Sequence, residues 1–180
     1  MRHKLESFLK PLYQDLDGVN RLDEVERIAK IARRLHRVHD DRAFELLLLF
    51  HGLGRWLEKV GNVSRTALAV PEISEQELRQ TAASIRRLEQ PVTAAERAVA
   101  AALRIDQAGV RGLTELFTRA RREGNSLMDV LRGALSDVAV PEWLPPHAEA
   151  WLHARREARR AVCKRLLEEL ALDDAPEELR

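Results

Sequence analysis

Apolar residues recur every three or four positions along nearly the whole chain, a spacing that is typical of amphipathic α-helices and not of strands. The first such segment gathers on one face Leu5, Phe8, Leu9 and Leu12. Pro11 is expected to kink or end this helix, and Asp17-Gly18 to separate it from the next one. A second apolar face then runs from Leu22 to Val38.

Residues that cap helix N-termini precede several of the later segments. Ser or Thr followed three positions later by Glu is the spacing of a capping box, in which each residue bonds the backbone amide of the other. The expected caps are Asp40-Asp41 for a helix over 42–50, Ser64 for a short helix that ends before Pro71, Ser74 with Glu77, and Thr93 with Glu96.

Two further helices are predicted towards the C-terminus, one over roughly 126–136 and a long one over 148–171. The long helix is expected to turn inward a stripe made of Trp151, Ala154, Ala158, Val162, Leu166 and Leu170. Together the segments predict an all-α fold, a single-domain bundle of about seven to nine helices over residues 1–180. Its core is expected between about 15 and 171, with a flexible tail over 172–180.

Composition narrows the class of protein. Hydrophobic residues make up 45% and charged residues 33% of the 180 positions, which is ordinary for a globular domain. A formal net charge of +1 argues against a strongly basic nucleic-acid-binding protein. The single cysteine, Cys163, cannot form an internal disulfide and suits a reducing compartment. Because no signal peptide and no apolar run of about 20 residues is visible, we expect a cytoplasmic protein without a membrane partner.

Basic residues nevertheless cluster at three places. They are Arg33, Arg34 and Arg37; Arg119, Arg121 and Arg122; and, on the long last helix, Arg155, Arg156, Arg159, Arg160, Lys164 and Arg165. Acidic residues, among them Glu157 and Glu169, interleave with the last cluster. This favours a solvated face of ion pairs, with binding of phosphate or nucleic acid as the alternative.

The stretch 46–56, LLLLFHGLGRW, places His51 at the end of the most apolar helix. Such a histidine is either a ligand in a site or a helix-end residue that is bonded to a carbonyl. The stretch resembles the "LLHDIG" motif of the HD superfamily of metal-dependent phosphohydrolases, with Gly52 in place of the aspartate. The closest likeness is to small bacterial single-domain members, and it covers about residues 15 to 171.

Other parts of the chain follow the same family pattern but lack its ligands. EVERIAKIA resembles the H-x-x-R-V motif in Arg27 and Ile28, while Glu24 stands at the histidine position. AALRIDQAGVRG resembles the "DADRLDALGAxG" motif, and the positions that match are Arg104, Ile105, Asp106, Gly109 and Gly112. Leu103 stands where the family has its last ligand, and Leu88 where a further histidine often occurs.

The resemblance implies an HD-like scaffold whose metal site is degenerate, because glycine and leucine supply no ligand atom. We therefore predict a pseudoenzyme with no resident cofactor and a binding or assembly role. Its expected partner is another protein or a phosphate-containing small molecule. The predicted residual pocket comprises Glu24, Arg27, His51, Arg104 and Asp106.

Two other functions stay open at this point. One is an active phosphohydrolase that acts on nucleotides or other phosphate esters and holds Mn, Mg, Fe or Zn with an unusual set, Glu24, His51 and Asp106. The other is a nucleic-acid-binding module that uses the arginine-rich last helix.

Overall fold

The computed structural model of the protein describes residues 2–14, 22–35, 41–136 and 139–173. The predicted break at Asp17-Gly18, Arg37 of the first basic cluster, the side chain of Arg119 and the tail beyond residue 173 lie outside what it describes.

The described ranges are all-α, as predicted, and contain no strand. The helices are α1 (Arg2–Gln14), α2 (Leu22–Leu35), α3 (Arg42–Phe50), α4 (Gly54–Leu57), α5 (Asn62–Ala69), α6 (Glu75–Arg86), α7 (Ala94–Ala108), α8 (Val110–Glu123), α9 (Leu127–Leu135) and α10 (Pro146–Asp173). A 3-10 turn over His51–Leu53 joins α3 to α4. Since α4 is a single turn, nine of these helices are longer, which agrees with the predicted seven to nine. In these ranges no helix has the length and apolar composition needed to cross a membrane.

The chain divides into two compact units, Met1–Ala102 and Leu103–Arg180, and the boundary falls within α7. Each unit has an apolar core of its own. The assignment of the whole chain to one domain stays a prediction.

The N-terminal unit is built around α3, which packs against α2 and α6. Every residue from Leu46 to Phe50 is buried, as expected for a helix that is apolar on all sides. Leu5 and Leu9 of α1 belong to the same core. The core of the C-terminal unit lies between α8, α9 and α10 and contains Leu113 and Leu131.

Most of the predicted caps form. Asp41 accepts a hydrogen bond from the Phe44 amide at 3.0 Å and caps α3. Both bonds of the capping box that joins Ser74 to Glu77 are present at the start of α6. The Arg42 guanidinium and the Ser74 amide both donate to the Glu77 carboxylate and lower its pKa to about 2. The Arg42 bond makes the largest contribution.

The buried charge of the N-terminal unit is Glu96, in the second capping box. Its side chain is fully buried; it accepts from the amides of Val92 and Thr93 and forms an ion pair with Arg87 at 2.6 Å. Burial acts to raise the pKa of Glu96, but the hydrogen bonds from Arg87 and the two amides outweigh it and hold the pKa at about 2.

Three predicted boundaries differ from the structure. Helix α5 begins at Asn62, so Ser64 lies inside it and does not cap it. The N-cap position belongs to Gly61, whose φ of 86° lies in the left-handed region that glycine adopts without steric cost. Helix α1 runs through Pro11, so this proline does not end the helix. Helix α10 likewise continues to Asp173, two residues into the predicted tail.

The predicted inner stripe of α10 is wrong in its first half. Ala154 and Ala158 are exposed, whereas the residues with the least exposed surface are Ala148, Leu152, Arg156 and Cys163. In the second half Val162, Leu166 and Leu170 pack against the core of the C-terminal unit, as predicted. Alanine is a weak indicator of the buried face of a helix, because burying one methyl group gains little free energy. An arginine can lie on that face, because its long stem is largely apolar.

Candidate functional site

His51 lies at the C-terminal end of α3, in the N-terminal unit. Its Nδ1 is 2.7 Å from the carbonyl oxygen of Leu48. Because a carbonyl only accepts, Nδ1 carries the hydrogen and donates it. The bond satisfies one of the carbonyl groups that a helix leaves unpaired in its last turn. His51 therefore makes the helix-end hydrogen bond to a carbonyl that the sequence offered as the alternative to a ligand role.

Gly52, which stands where the HD motif has its aspartate, lies close to the aromatic ring of Tyr13. A β-carbon on residue 52 would be 3.1 Å from Tyr13 Cε1, which is tighter than ordinary van der Waals contact. Tyr13 is buried, and its hydroxyl donates to the carbonyl of Leu49 at 2.6 Å. An aspartate at this position would therefore require a shift of a few tenths of an ångström in a ring that is held by packing and by a hydrogen bond.

The residues at the His51 turn do not fit the metal centre that the resemblance implies. Glycine supplies no ligand atom at position 52, and Nδ1 of His51 carries the hydrogen that it donates to the Leu48 carbonyl, so only Nε2 of this ring has a lone pair to offer a metal ion. Over the ranges that the structure describes, no three or more His, Cys, Asp or Glu side chains are grouped so that they could hold a metal ion. That the protein works without a resident metal stays a prediction.

The five residues of the predicted residual pocket fall in both units. Glu24 and Arg27 lie half-buried on α2, and His51 follows α3, all in the N-terminal unit. Arg104 and Asp106 lie near the end of α7, in the C-terminal unit. Leu103, which stands where the HD family has its last ligand, is half-buried.

Arg104 lines a cavity of about 400 Å³ that lies within the C-terminal unit. The last turn of α7, the start of α8 and the middle of α10 form its walls, and we call it the arginine cleft. Its polar lining consists of Arg104, Gln107, Glu115, Arg156 and Arg159. Three guanidinium groups therefore face one carboxylate, so the cleft carries a net positive charge.

Helical spacing brings these side chains together. On α7 the lining residues are Arg104, Gln107 and Ala108; on α8 they are Gly112, Glu115 and Leu116; on α10 they are Leu152, Arg156 and Arg159. Positions three or four apart share one face of a helix, so each helix presents a continuous edge to the cavity.

A close backbone approach explains the glycine in this wall. A β-carbon on residue 112 would overlap the carbonyl group of Gln107, so only glycine allows α8 to start this near the end of α7.

The arginines of α10 separate into two groups. Arg160 donates to Glu157 at 2.6 Å and Arg165 donates to Glu169 at 3.1 Å, so both form the ion pairs that the sequence favoured, although only Arg165 is exposed and Arg160 is half-buried. Arg156, in contrast, is only 9% exposed. Arg159 is half-buried, and its Nε is a buried nitrogen for which the described residues provide no hydrogen-bond partner. The sequence therefore predicted the ion pairs of Arg160 and Arg165 correctly. It wrongly assigned Arg156 and Arg159 to a solvated face.

Two neighbours complete the surroundings of the cleft. The guanidinium of Arg104 lies over the ring of Trp143, 5.6 Å from its centre, which is cation–π geometry. Cys163, one turn beyond Arg159, is fully buried. Burial raises the pKa of the Cys163 thiol, and the nearby charge of Arg159 opposes this effect only in part. The thiol is thus kept protonated and is a poor nucleophile.

Sequence reasoning missed Arg156 and Arg159 as individual residues. The available signal was their phase on the helix: Leu152, Arg156, Arg159 and Cys163 follow a single face.

Comparison of the chain with protein-family models, curated proteins and solved structures gave no significant match. The HD resemblance therefore stays a prediction, and function has to be inferred from the residues of the site itself.

Proposed function

We propose that this protein is a non-catalytic, HD-like binding protein whose arginine cleft takes a phosphate-bearing small molecule. A cavity of about 400 Å³ is in the size range of small-molecule sites. The planar fork of a guanidinium matches the oxygens of a phosphate, and such charge-assisted hydrogen bonds are stronger than neutral ones.

The observation that carries the proposal is the buried Nε of Arg159. A buried N–H without an acceptor costs about 1–3 kcal/mol, so its retention beside a cavity is explained if a ligand oxygen supplies the acceptor. A phosphate oxygen suits this position because Arg104 and Arg156 line the same cavity.

Hydrolysis is less well supported than binding. The only acidic side chain in the described lining of the cleft is Glu115, and neither His nor Cys contributes to it. A metal-dependent phosphohydrolase needs several nitrogen and oxygen ligands and an activated water. One carboxylate facing three arginines favours retention of a phosphate over its transfer.

The test is isothermal titration of inorganic phosphate and pyrophosphate at constant ionic strength. We expect saturable binding that Arg159→Met weakens about tenfold or more, since a hydrogen bond to a charged group contributes about 1.5–3 kcal/mol. Arg160→Met is the matched control, because it removes an arginine from the same helix that pairs with Glu157 and does not line the cleft. Its affinity should stay within about twofold of the unmodified chain.

Four outcomes would contradict the proposal. Equal losses in Arg159→Met and Arg160→Met would show a diffuse charge effect, and the absence of saturable binding would remove the site. Turnover of phosphate esters with Mn, Mg, Fe or Zn that is lost in His51→Ala would establish the hydrolase alternative. Binding of single-stranded RNA or DNA with a steep salt dependence, equally reduced in both arginine variants, would establish the nucleic-acid alternative.

A further inference from the structure

A second cavity, of about 350 Å³, lies within the same unit. Helices α8 and α9 form most of its wall, and we call it the α8–α9 cavity. Its apolar lining consists of Leu116, Ala120, Val130, Gly133 and Ala134. Ala134 also belongs to the core cluster of this unit, so the cavity reaches down to the core.

The two cavities share part of their walls. Leu116 and Arg159 line both of them. Arg159 therefore stands between a space that carries a net positive charge and a space that is largely apolar. A molecule held by Arg159 in the arginine cleft has the α8–α9 cavity directly beside it.

From this arrangement we infer that the ligand is a phosphate monoester with an unbranched apolar chain, its phosphate on the arginines and its chain in the α8–α9 cavity. The inference rests on the proposed function and names the class of ligand. A polyphosphate fits less well, because the carboxylate of Glu123 lines the second cavity and would repel another phosphate group. The apolar wall favours methylene groups, which gain free energy when they leave water.

The experiment is a titration series with ethyl, butyl and hexyl phosphate, at concentrations below those that form micelles, beside inorganic phosphate and hexanol. Each fully buried methylene strengthens binding about fourfold. Because the cavity is partly open, we expect an increase of about tenfold or more from ethyl to hexyl phosphate. Hexanol, which lacks the charge, should bind much more weakly than hexyl phosphate.

A pair of variants at one position tests where the chain lies. A β-carbon on Gly133 would meet no atom within 4 Å, so a side chain can be added there. Gly133→Leu fills the α8–α9 cavity, and we expect it to reduce the affinity for hexyl phosphate to that for ethyl phosphate without changing the latter. Gly133→Ala, which adds one carbon where Gly133→Leu adds four, should reduce the affinity for hexyl phosphate by less than Gly133→Leu does.

The outcomes separate this inference from the proposed function. Binding of phosphate that depends on Arg159 but is equal for ethyl and hexyl phosphate overturns the inference and leaves the proposed function standing. Hexyl phosphate binding that ignores Arg159→Met overturns both. Binding to phosphatidic acid vesicles with no affinity for soluble alkyl phosphates overturns the inference in favour of a membrane lipid surface. The chain-length series uses the unmodified protein, so it decides even if Gly133→Leu does not fold.

Discussion

At the His51 turn the polar groups are bonded to the protein itself: His51 donates to the Leu48 carbonyl and Tyr13 to the Leu49 carbonyl. In the arginine cleft of the other unit, Arg159 has a buried Nε with no acceptor among the described residues. The first arrangement stabilises the fold and leaves little for a ligand to do. The second lowers the stability of the chain without ligand, because it buries an N–H group whose acceptor a ligand would supply.

From this difference we infer that a histidine, although it is a common catalytic and ligand residue, is not the best indicator of a site in this protein. A histidine after an apolar helix attracts attention, yet its surroundings here give it a structural role. The arginines of α10 look like ordinary surface charge in the sequence, yet two of them line a cavity. Unsatisfied polar atoms beside open space are the more informative observation.

The largest effect expected from this comparison is a loss of stability at the His51 turn without a loss of binding. Tyr13→Ala should lower the free energy of unfolding by about 3 kcal/mol, because it empties a buried site beside Gly52. Tyr13→Phe, which keeps the ring and removes the hydroxyl that donates to Leu49, should cost about 1 kcal/mol. Urea denaturation gives both values. If Tyr13→Ala, measured while folded, loses phosphate affinity as Arg159→Met does, the division of roles between the two regions is wrong.

The next effect concerns a charge that is buried and fully paired. Glu96 has a pKa of about 2 in the folded chain against an ordinary 4.5. A lowered pKa stabilises the fold above the ordinary value, and this stabilisation is lost as the pH falls from about 4.5 towards 2. We expect Glu96→Gln to cost about 2 kcal/mol at pH 7, because the half-exposed Arg87 limits the strength of the pair.

The control for this charge is Glu75→Gln, which breaks an exposed ion pair with Arg79 and should cost less than about 0.5 kcal/mol. Urea denaturation of the three proteins between pH 7 and 2.5 tests the sign. The difference between the unmodified chain and Glu96→Gln should shrink as the pH falls. A difference that stays constant with pH would mean that the bonds to Glu96 do not depend on its charge.

The smallest effect, and the one opposite in sign, is expected at Arg159. Arg159→Met keeps the apolar stem and removes the buried Nε, so without ligand the variant should be as stable as the unmodified chain or more stable by up to about 1 kcal/mol. Denaturation in phosphate-free buffer measures this. A loss of 2 kcal/mol or more would mean that the guanidinium holds the fold together.

Helices and their caps were largely predictable from the sequence because they depend on neighbours within four residues. The capping boxes of Glu77 and Glu96 are present, as the spacing in the sequence predicted, and α3 runs over Arg42–Phe50 as predicted. The errors at Pro11 and Ser64 concern boundaries, where a proline tolerated within α1 and a glycine N-cap outweighed the usual preferences.

The site could be predicted only in part. Arg104 was named from the sequence and does line the cleft, whereas Arg156 and Arg159 were assigned to a surface charge run. The rotation of α10 decides which arginines turn inward. On a helix with so many charged and alanine positions, the local hydrophobic pattern does not determine that rotation.

Residue type and short-range spacing are enough to predict an all-α chain and most of its helix boundaries. They also show that Gly52 and Leu103 supply no ligand atoms. The packing of the helices, in contrast, decides that Tyr13 lies against Gly52 and that Arg159 lines two cavities with its Nε buried. Both depend on contacts between segments distant in the chain, and burial in such contacts, unlike helix formation, is not encoded by neighbouring residues.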